Sequence, residues 1–453
     1  MARVNWNQFG LKRNPYDTSP LEEGGDVNVR NAFIGREKEN QIIEDIFASE
    51  ERACLTICGN AGIGKTSIAN YQKYLWKYKK EQKSLFSFRG EIEADESLLN
   101  KKNFILEIIG SVIREIELVD PKLLEKHEFL QKMRQMIDIT QTLGISGNIG
   151  SGIPGIFELG ATFSERQLHT PLHITTIALE NSFNQLLTFI REKKIAKRQH
   201  HGLIIHVNNF DYVMEHHKKE TTQFFAEIRD FLQTPNVYFL FLGPNNFFKE
   251  IIAKQTRVKS IFIQYPVILE PLTKAELVSV CNKRLKLLQL ENVTKVVKPF
   301  EDGVIASFYD IFQGDIRMIM TALRDSLVQI SDSFSKTLTL DEAIVLLGRE
   351  RMAHVEQQLT EDKLKVLDVI VQSNEPITQV AIAKVLNKQQ TNISSYFKKL
   401  ADLGIIEVKR EEGRHKFWHL TAEYLPLTHV LIAQERLQQS FTQRTKQLDL
   451  FGK

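Results

Sequence analysis

The chain has 453 residues, 42% hydrophobic and 25% charged, which is long for one domain and excludes a globally disordered polypeptide. A net charge of +3 leaves both nucleic acid and protein partners open, so any case for DNA must come from local charge. No run reaches the ~18 apolar residues of a membrane span and "MARVNWNQFGLKRNPYD" lacks an apolar secretory core, which predicts a cytoplasmic protein with no membrane partner.

Residues 1–30 are set aside as an N-terminal segment. From 31 to 270, short apolar runs alternate with amphipathic stretches: "ACLTIC", "SLFSF", "GLIIHV", "VYFLFLG" and "SIFIQYPVI". Such runs, rich in β-branched and aromatic residues, predict an α/β core with a parallel sheet covered on both faces. Cys54 and Cys58 lie in the first run without metal-ligand spacing and Cys281 lies far away, so buried thiols are expected rather than a disulfide framework. The Gly-rich stretch 142–163, "TLGISGNIGSGIPGIFELGATF", reads as an insertion, either a mobile hairpin or a disordered surface loop.

Directly after the first strand comes "GNAGIGKTS", comprising Gly59, Asn60, Ala61, Gly62, Ile63, Gly64, Lys65, Thr66 and Ser67. It fits G-x-x-x-x-G-K-[ST], the phosphate loop of P-loop nucleotide-binding folds. Its glycines let backbone N–H groups wrap phosphate, Lys65 neutralises β/γ oxygens, and Thr66 offers its hydroxyl to Mg²⁺. The expected cofactors are therefore ATP and Mg²⁺. In P-loop folds a second strand supplies an Asp to the metal shell, and the hydrolytic additional-strand subgroup adds a Glu that polarises water. The run "LIIHVNNFD" puts Asn208 and Asn209 there. An amide can ligate through oxygen or orient water but cannot take a proton as a carboxylate does, so hydrolysis should suffer more than binding. Alternatively the motif is displaced and Asp211 is itself the metal residue.

Residues 271–352 show only helix-period patterns and predict an all-α lid. Residues 358–425 predict three helices and a hairpin, an arrangement that resembles a winged helix. Thr360 is placed to cap the first helix. The third, "QQTNISSYFKKLADLG", turns Ile393, Phe397 and Leu400 inward and leaves Gln389, Gln390, Asn392, Ser395 and Lys399 outward. The hairpin carries Arg410, Arg414 and Lys416. Between 384 and 416 there are eight Lys/Arg against four Asp/Glu, a local basic excess. Amides on a recognition helix can read base edges while cations clamp phosphate, so double-stranded DNA is the expected partner; a protein-interaction or dimerisation module is the alternative. The tail 426–453 ends in "QLDLFGK". Its Gln447, Leu448, Asp449, Leu450 and Phe451 are similar to the peptide by which bacterial replication and repair proteins dock on the sliding clamp, although an amphipathic helix end would look alike.

Five further stretches occur in order: "AFIGREKENQIIEDIF", "VYFLFLGPNNF", "TRVKSIF", "EPLTKAELVSVCNKRLKLL" and "IFQGDIRMIMTALRDSL". With the phosphate loop they resemble AAA+ ATPases across residues 31–421, most closely the initiator branch of archaeal and eukaryotic origin-recognition ATPases. The resemblance implies that Arg36 precedes a segment near the adenine pocket. It implies that Asn245 or Asn246 is a sensor-1 residue near the γ-phosphate and that Arg257 is a finger reaching a neighbouring subunit's nucleotide in a homo-oligomer. Arg317 becomes the sensor-2 arginine of the lid. The expected function is a nucleotide-gated DNA-binding switch with slow ATP hydrolysis, in DNA replication or mobile-element transactions. Two alternatives stand beside it: a signalling ATPase of antiphage defence that gates a separate effector such as a nuclease, and an ATP-dependent target selector for transposition.

Overall fold

The structure, a computed structural model, describes residues 4–25, 27–80, 83–144, 175–328, 336–373, 375–413, 415–430, 432–434 and 436–438. The chain forms two compact units: Pro20–Glu270, and Met1–Ser19 together with Pro271–Lys453.

The first unit is built on a parallel sheet of β1 (Ala53–Cys58), β2 (Leu85–Phe86), β3 (Ile92–Glu93), β4 (Gly202–Asn208), β5 (Val237–Gly243) and β6 (Val267–Ile268), in the order β2-β4-β5-β1-β6 with β3 also on β4. Every residue of β1 and β5 is buried, as is all of β4 except Asn208. These strands therefore read as continuous apolar runs, since helices cover both faces. Helices Lys101–Val119 and Thr176–Glu192 pack on one face, and Glu37–Ser49 and Lys65–Tyr78 on the other. The free thiols Cys54, Cys58 and Cys281 are all buried.

Two strand expectations are corrected. The run "SLFSF" contracts to Leu85–Phe86, and the chain returns to the same neighbour as β3, which pairs Ile92 with Val207 and Glu93 with Asn208. "SIFIQYPVI" contracts to Val267–Ile268. Its first half folds back on the helix Thr256–Lys259, with Phe262 N–H donating to Lys259 O, and Pro266 has no N–H to give a ladder. Of the insertion 142–163, residues 142–144 end the helix Glu128–Gly144; the rest lies outside the described residues.

From Pro271 on, the second unit forms helices Lys274–Leu287, Asp302–Ile311, Ile316–Ser326 and Leu340–Glu356. The first is fixed by a capping box between Thr273 and Glu276. The N-terminal stretch is divided between the units. Lys12 N–H donates to Leu288 O at 2.7 Å, and buried Tyr16 lies edge-on to Phe300, which joins this part to the helical module. In the sheet unit, Leu21 O accepts from Asn70 Nδ2 at 3.0 Å on the helix that follows the phosphate loop.

Next come helix Glu361–Gln372, β7 (Ile377–Thr378), helices Gln379–Val385 and Gln390–Asp402, β8 (Ile406–Glu412) and β9 (His415–Leu420). The antiparallel order β7-β9-β8 adds to the expected hairpin a strand that its sequence, "EPIT", did not announce. Thr360 stands at the N-cap of the first helix, but its side chain makes no capping bond. Ile393, Phe397 and Leu400 are fully buried and pack with Val366, Ile382 and Leu420.

Candidate nucleotide site and nucleic-acid interface

Because the sheet is parallel, the loops after β1, β4 and β5 emerge at its carboxyl edge, where open α/β sheets bind ligands. After β1 the chain turns through Gly62 (φ 73°) and Gly64 (φ 100°), left-handed positions that a side chain would strain, and Gly64 caps the helix Lys65–Tyr78. Lys65, 7% exposed, donates from Nζ to Gly59 O at 2.7 Å and Asn60 O at 3.1 Å. Its ammonium is thereby curled over the loop beside a helix N-terminus, where N–H groups and the helix dipole favour an anion. Buried Arg36, itself at φ 68°, donates to Ile63 O at 3.0 Å and to Glu270 O, clamping the loop to the strand end beyond β6.

Strand β4 delivers the second half of the site. Asn208 Nδ2 lies 3.0 Å from Thr66 Oγ1 and 3.1 Å from Glu91 Oε2. Asn209 turns away through φ 68° and donates its amide to Ala94 O at 3.1 Å. Asn tolerates that left-handed conformation better than most residues. The two asparagines therefore part: one faces the phosphate loop, the other ties β4 to the chain after β3. Asp211 Oδ2 stands 3.3 Å from Lys65 Nζ.

The sequence reading missed Glu91, which enters from the turn between β2 and β3. Burial raises its carboxyl above the ordinary range, against the opposing Asn208 hydrogen bond. Lys73, on the same helix as Thr66, donates to Arg89 O at 3.1 Å and Gly90 O at 2.8 Å. Burial lowers the Lys73 ammonium to about 8, with Glu91 and Glu115 pulling the other way. His206, two residues before Asn208, is fully buried; that burial, and then Lys73, hold its imidazole neutral, well below the usual range. Its Nε2 is 3.5 Å from Glu91 Oε2 but makes no hydrogen bond.

From β5, Asn245 Nδ2 donates to Asn60 Oδ1 at 2.8 Å, while Asn246 Nδ2 donates to Glu250. Of the two sensor-1 candidates, Asn245 is the one on the phosphate loop. Arg257 is exposed on the helix Thr256–Lys259, its carbonyl accepting from Arg229 Nε at 3.1 Å. In the second unit, Arg317 is exposed in the first turn of the helix Ile316–Ser326, which Asp315 caps.

Mg²⁺ takes near-octahedral oxygen ligands, usually one or two carboxylates plus phosphate and water. The Thr66 hydroxyl with the Glu91 and Asp211 carboxylates around the loop fits that preference. Among the described residues no group of three or more His, Cys, Asp or Glu could hold a metal by itself. The core has the α/β P-loop fold, with β5 inserted between the loop-bearing β1 and β4.

No protein-family model matches the chain, and no curated relative matches it. Solved structures are similar to it at low identity. One is an Aeropyrum pernix Orc1 protein in complex with DNA, 15% identical over 92% of this chain and 96% of that one, with a TM-score of 0.47. The Aeropyrum pernix ORC2 protein in ADPNP-ADP complexes is 13% identical over 96% and 100% of the two chains, TM-score 0.47. Cdc6p from Pyrobaculum aerophilum is 14% identical over 97% and 100%, TM-score 0.41. Among the described residues no helix is long and apolar enough to cross a membrane.

In the C-terminal module, Gln389, Gln390, Asn392, Ser395 and Lys399 are all exposed. Arg410 and Lys416 are exposed too, but each meets an acidic neighbour of the hairpin: Arg410 with Glu412 at 3.3 Å and Lys416 with Glu411 at 3.1 Å. Arg410 also lies over the Phe417 ring, 4.3 Å from its centre. Surface pairs of this kind are worth ~0–1 kcal/mol, so a phosphate can displace them. Arg414 and the tail residues Gln447, Leu448, Asp449, Leu450 and Phe451 lie outside the described residues.

Proposed function

We propose that this protein is an ATP-binding AAA+ switch of the initiator type, whose nucleotide state governs how its C-terminal winged helix engages double-stranded DNA. The observation that carries the reading is the phosphate loop itself, with Lys65 folded over it and Thr66 joined through Asn208 to a carboxylate. Lys65 and the loop backbone hold the triphosphate, and Thr66 presents an oxygen to Mg²⁺. Mg²⁺ held there would supply positive charge to offset that of the triphosphate.

Turnover in this reading is slow. Neither Asn208 nor Asn209 can take a proton from water, and the Asn209 amide is engaged with Ala94 O. Asn245 senses the terminal phosphate from the loop side. Arg317 takes the sensor-2 role on nucleotide phosphate, and Arg257 the finger role towards a neighbouring copy; a guanidinium suits both because it stays charged and binds phosphate bidentately. The exposed amides of the helix Gln390–Asp402 read base edges while Lys399, Arg410, Arg414 and Lys416 hold phosphates. The C-terminal peptide 447–451 docks the assembly on a sliding clamp.

Titration with a fluorescent ATP analogue tests the nucleotide assignment. The parent should bind, and Lys65→Ala should weaken binding by roughly 100-fold, the scale of losing a charge-assisted phosphate contact. Equal affinity in both proteins contradicts the reading.

A further inference from the structure

Position 208 carries an amide, so the strand next to the phosphate loop brings no anion of its own to a cation there. The structure supplies one from the turn that leads into β3. Glu91 Oε2 and Thr66 Oγ1 each lie about 3 Å from the same nitrogen of Asn208, which places the two oxygens at most about 6 Å apart. A carboxylate only accepts hydrogen bonds, so Glu91 fixes which way the Asn208 amide points: nitrogen inward, towards Glu91 and Thr66. The Asn208 oxygen is thereby turned away from the threonine hydroxyl.

The turn bearing Glu91 is held from several sides. Lys73 grips the carbonyls of Arg89 and Gly90, and buried Glu115 accepts from Arg89 N–H at 3.0 Å while pairing with Lys77 at 3.1 Å. Glu91 is itself only partly exposed, at 25%. Asp211, the carboxylate that follows β4, is engaged with Lys65 rather than linked to Thr66.

We propose that Glu91 is the anionic member of the cation shell at the nucleotide site, acting across strands in place of the carboxylate that position 208 lacks. This rests on the nucleotide reading above. Mg²⁺ keeps several of its waters, so a carboxylate within reach of the Thr66 oxygen serves it through the water shell, with Asn208 as the bridge that holds both groups.

ATP affinity measured in Mg²⁺ and again in EDTA tests this, because the same charge must act with opposite sign in the two buffers. With the cation present Glu91 attracts it; without the cation it repels the triphosphate. Glu91→Gln is therefore expected to weaken ATP binding in Mg²⁺ by roughly tenfold and to tighten it in EDTA by about two- to fivefold. The double variant Glu91→Gln with Asn208→Asp, which returns the carboxylate to β4 and leaves an amide opposite, should bring both affinities back to within about threefold of the parent. Movement of both affinities in the same direction, no movement, or failure of the double variant to recover overturns the proposal. A parent that binds ATP equally in both buffers overturns it as well, and leaves the nucleotide reading standing. A parent that binds in neither buffer removes the nucleotide reading itself.

Discussion

Lys65 Nζ lies 3.3 Å from Asp211 Oδ2, so the lysine that should meet phosphate already has a carboxylate for company. The aspartate side chain is 40% exposed and that of the lysine 8%, which makes this a half-solvated pair rather than a buried one. A triphosphate must compete with it. Asp211→Asn is expected to tighten metal-free ATP binding by about three- to tenfold, in line with a pair worth ~0.5–1 kcal/mol plus removal of a like charge. Calorimetric titration in EDTA checks this; weaker binding would show Asp211 holding the lysine in its productive place.

Asn209 combines a left-handed backbone with a side-chain bond to Ala94 O. Replacing it with Glu removes the donor and puts a less tolerant residue at φ 68°, which should cost about 1–2 kcal/mol in a urea denaturation. The same change offers the carboxylate that polarises water in hydrolytic relatives of the fold. Phosphate release should rise by roughly tenfold or more. Unchanged release would remove the missing carboxylate as the cause of slow turnover.

Two buried histidines set an acid limit on the sheet unit. Burial, then Lys77, Arg198 and His201, lowers the His200 imidazole to about 4, and burial lowers His206 well below its usual range. Both folded-state values are depressed, so the unfolded chain takes up protons first as the pH falls. Their contribution is complete above about pH 6.5 and is lost as the pH falls towards 4. His200 alone should account for about 2–3 kcal/mol between pH 7.5 and 4.5. Urea midpoints at those two pH values check it, with His200→Asn expected to lose correspondingly less.

The hairpin cations are partly neutralised by their own neighbours, Glu411 and Glu412. Converting both glutamates to Gln should tighten duplex-DNA binding several-fold at low salt, because Arg410 and Lys416 no longer trade one partner for another. Lys399 has no ion pair among the described residues. Lys399→Ala should weaken binding to all duplex sequences alike and lower the salt slope by about one. Gln390→Ala should instead change sequence preference. Fluorescence anisotropy over a salt series separates the two.

How much of this was legible beforehand depends on whether the signal is local. The phosphate loop follows from spacing, since glycine, lysine and threonine must come at fixed intervals to wrap a phosphate. The inward stripe Ile393, Phe397 and Leu400 follows from helical period, and all three are buried. Glu91 was not legible. It lies in "FRGEIEADE" among several carboxylates, and only the pairing of β3 with β4, more than a hundred residues away in sequence, selects it. The short β6 failed for a related reason: apolar content marks burial, but Pro266 and the fold-back onto Lys259 decide whether a ladder forms. The parting of Asn208 from Asn209 depends on one left-handed residue, which composition does not announce.

In the proposed switch, a bound triphosphate controls the DNA-binding end of the chain. The most direct measurement is the affinity of the full chain for duplex DNA at one stated salt concentration, with ATP, with ADP and without nucleotide, for the parent and for Lys65→Ala. The parent should bind at least about tenfold more tightly with ATP than in the other two states, and Lys65→Ala should show no such difference. Equal DNA affinity of the parent in all three states, matched by the variant, would contradict the claim and leave a DNA-binding protein whose nucleotide site does not govern it.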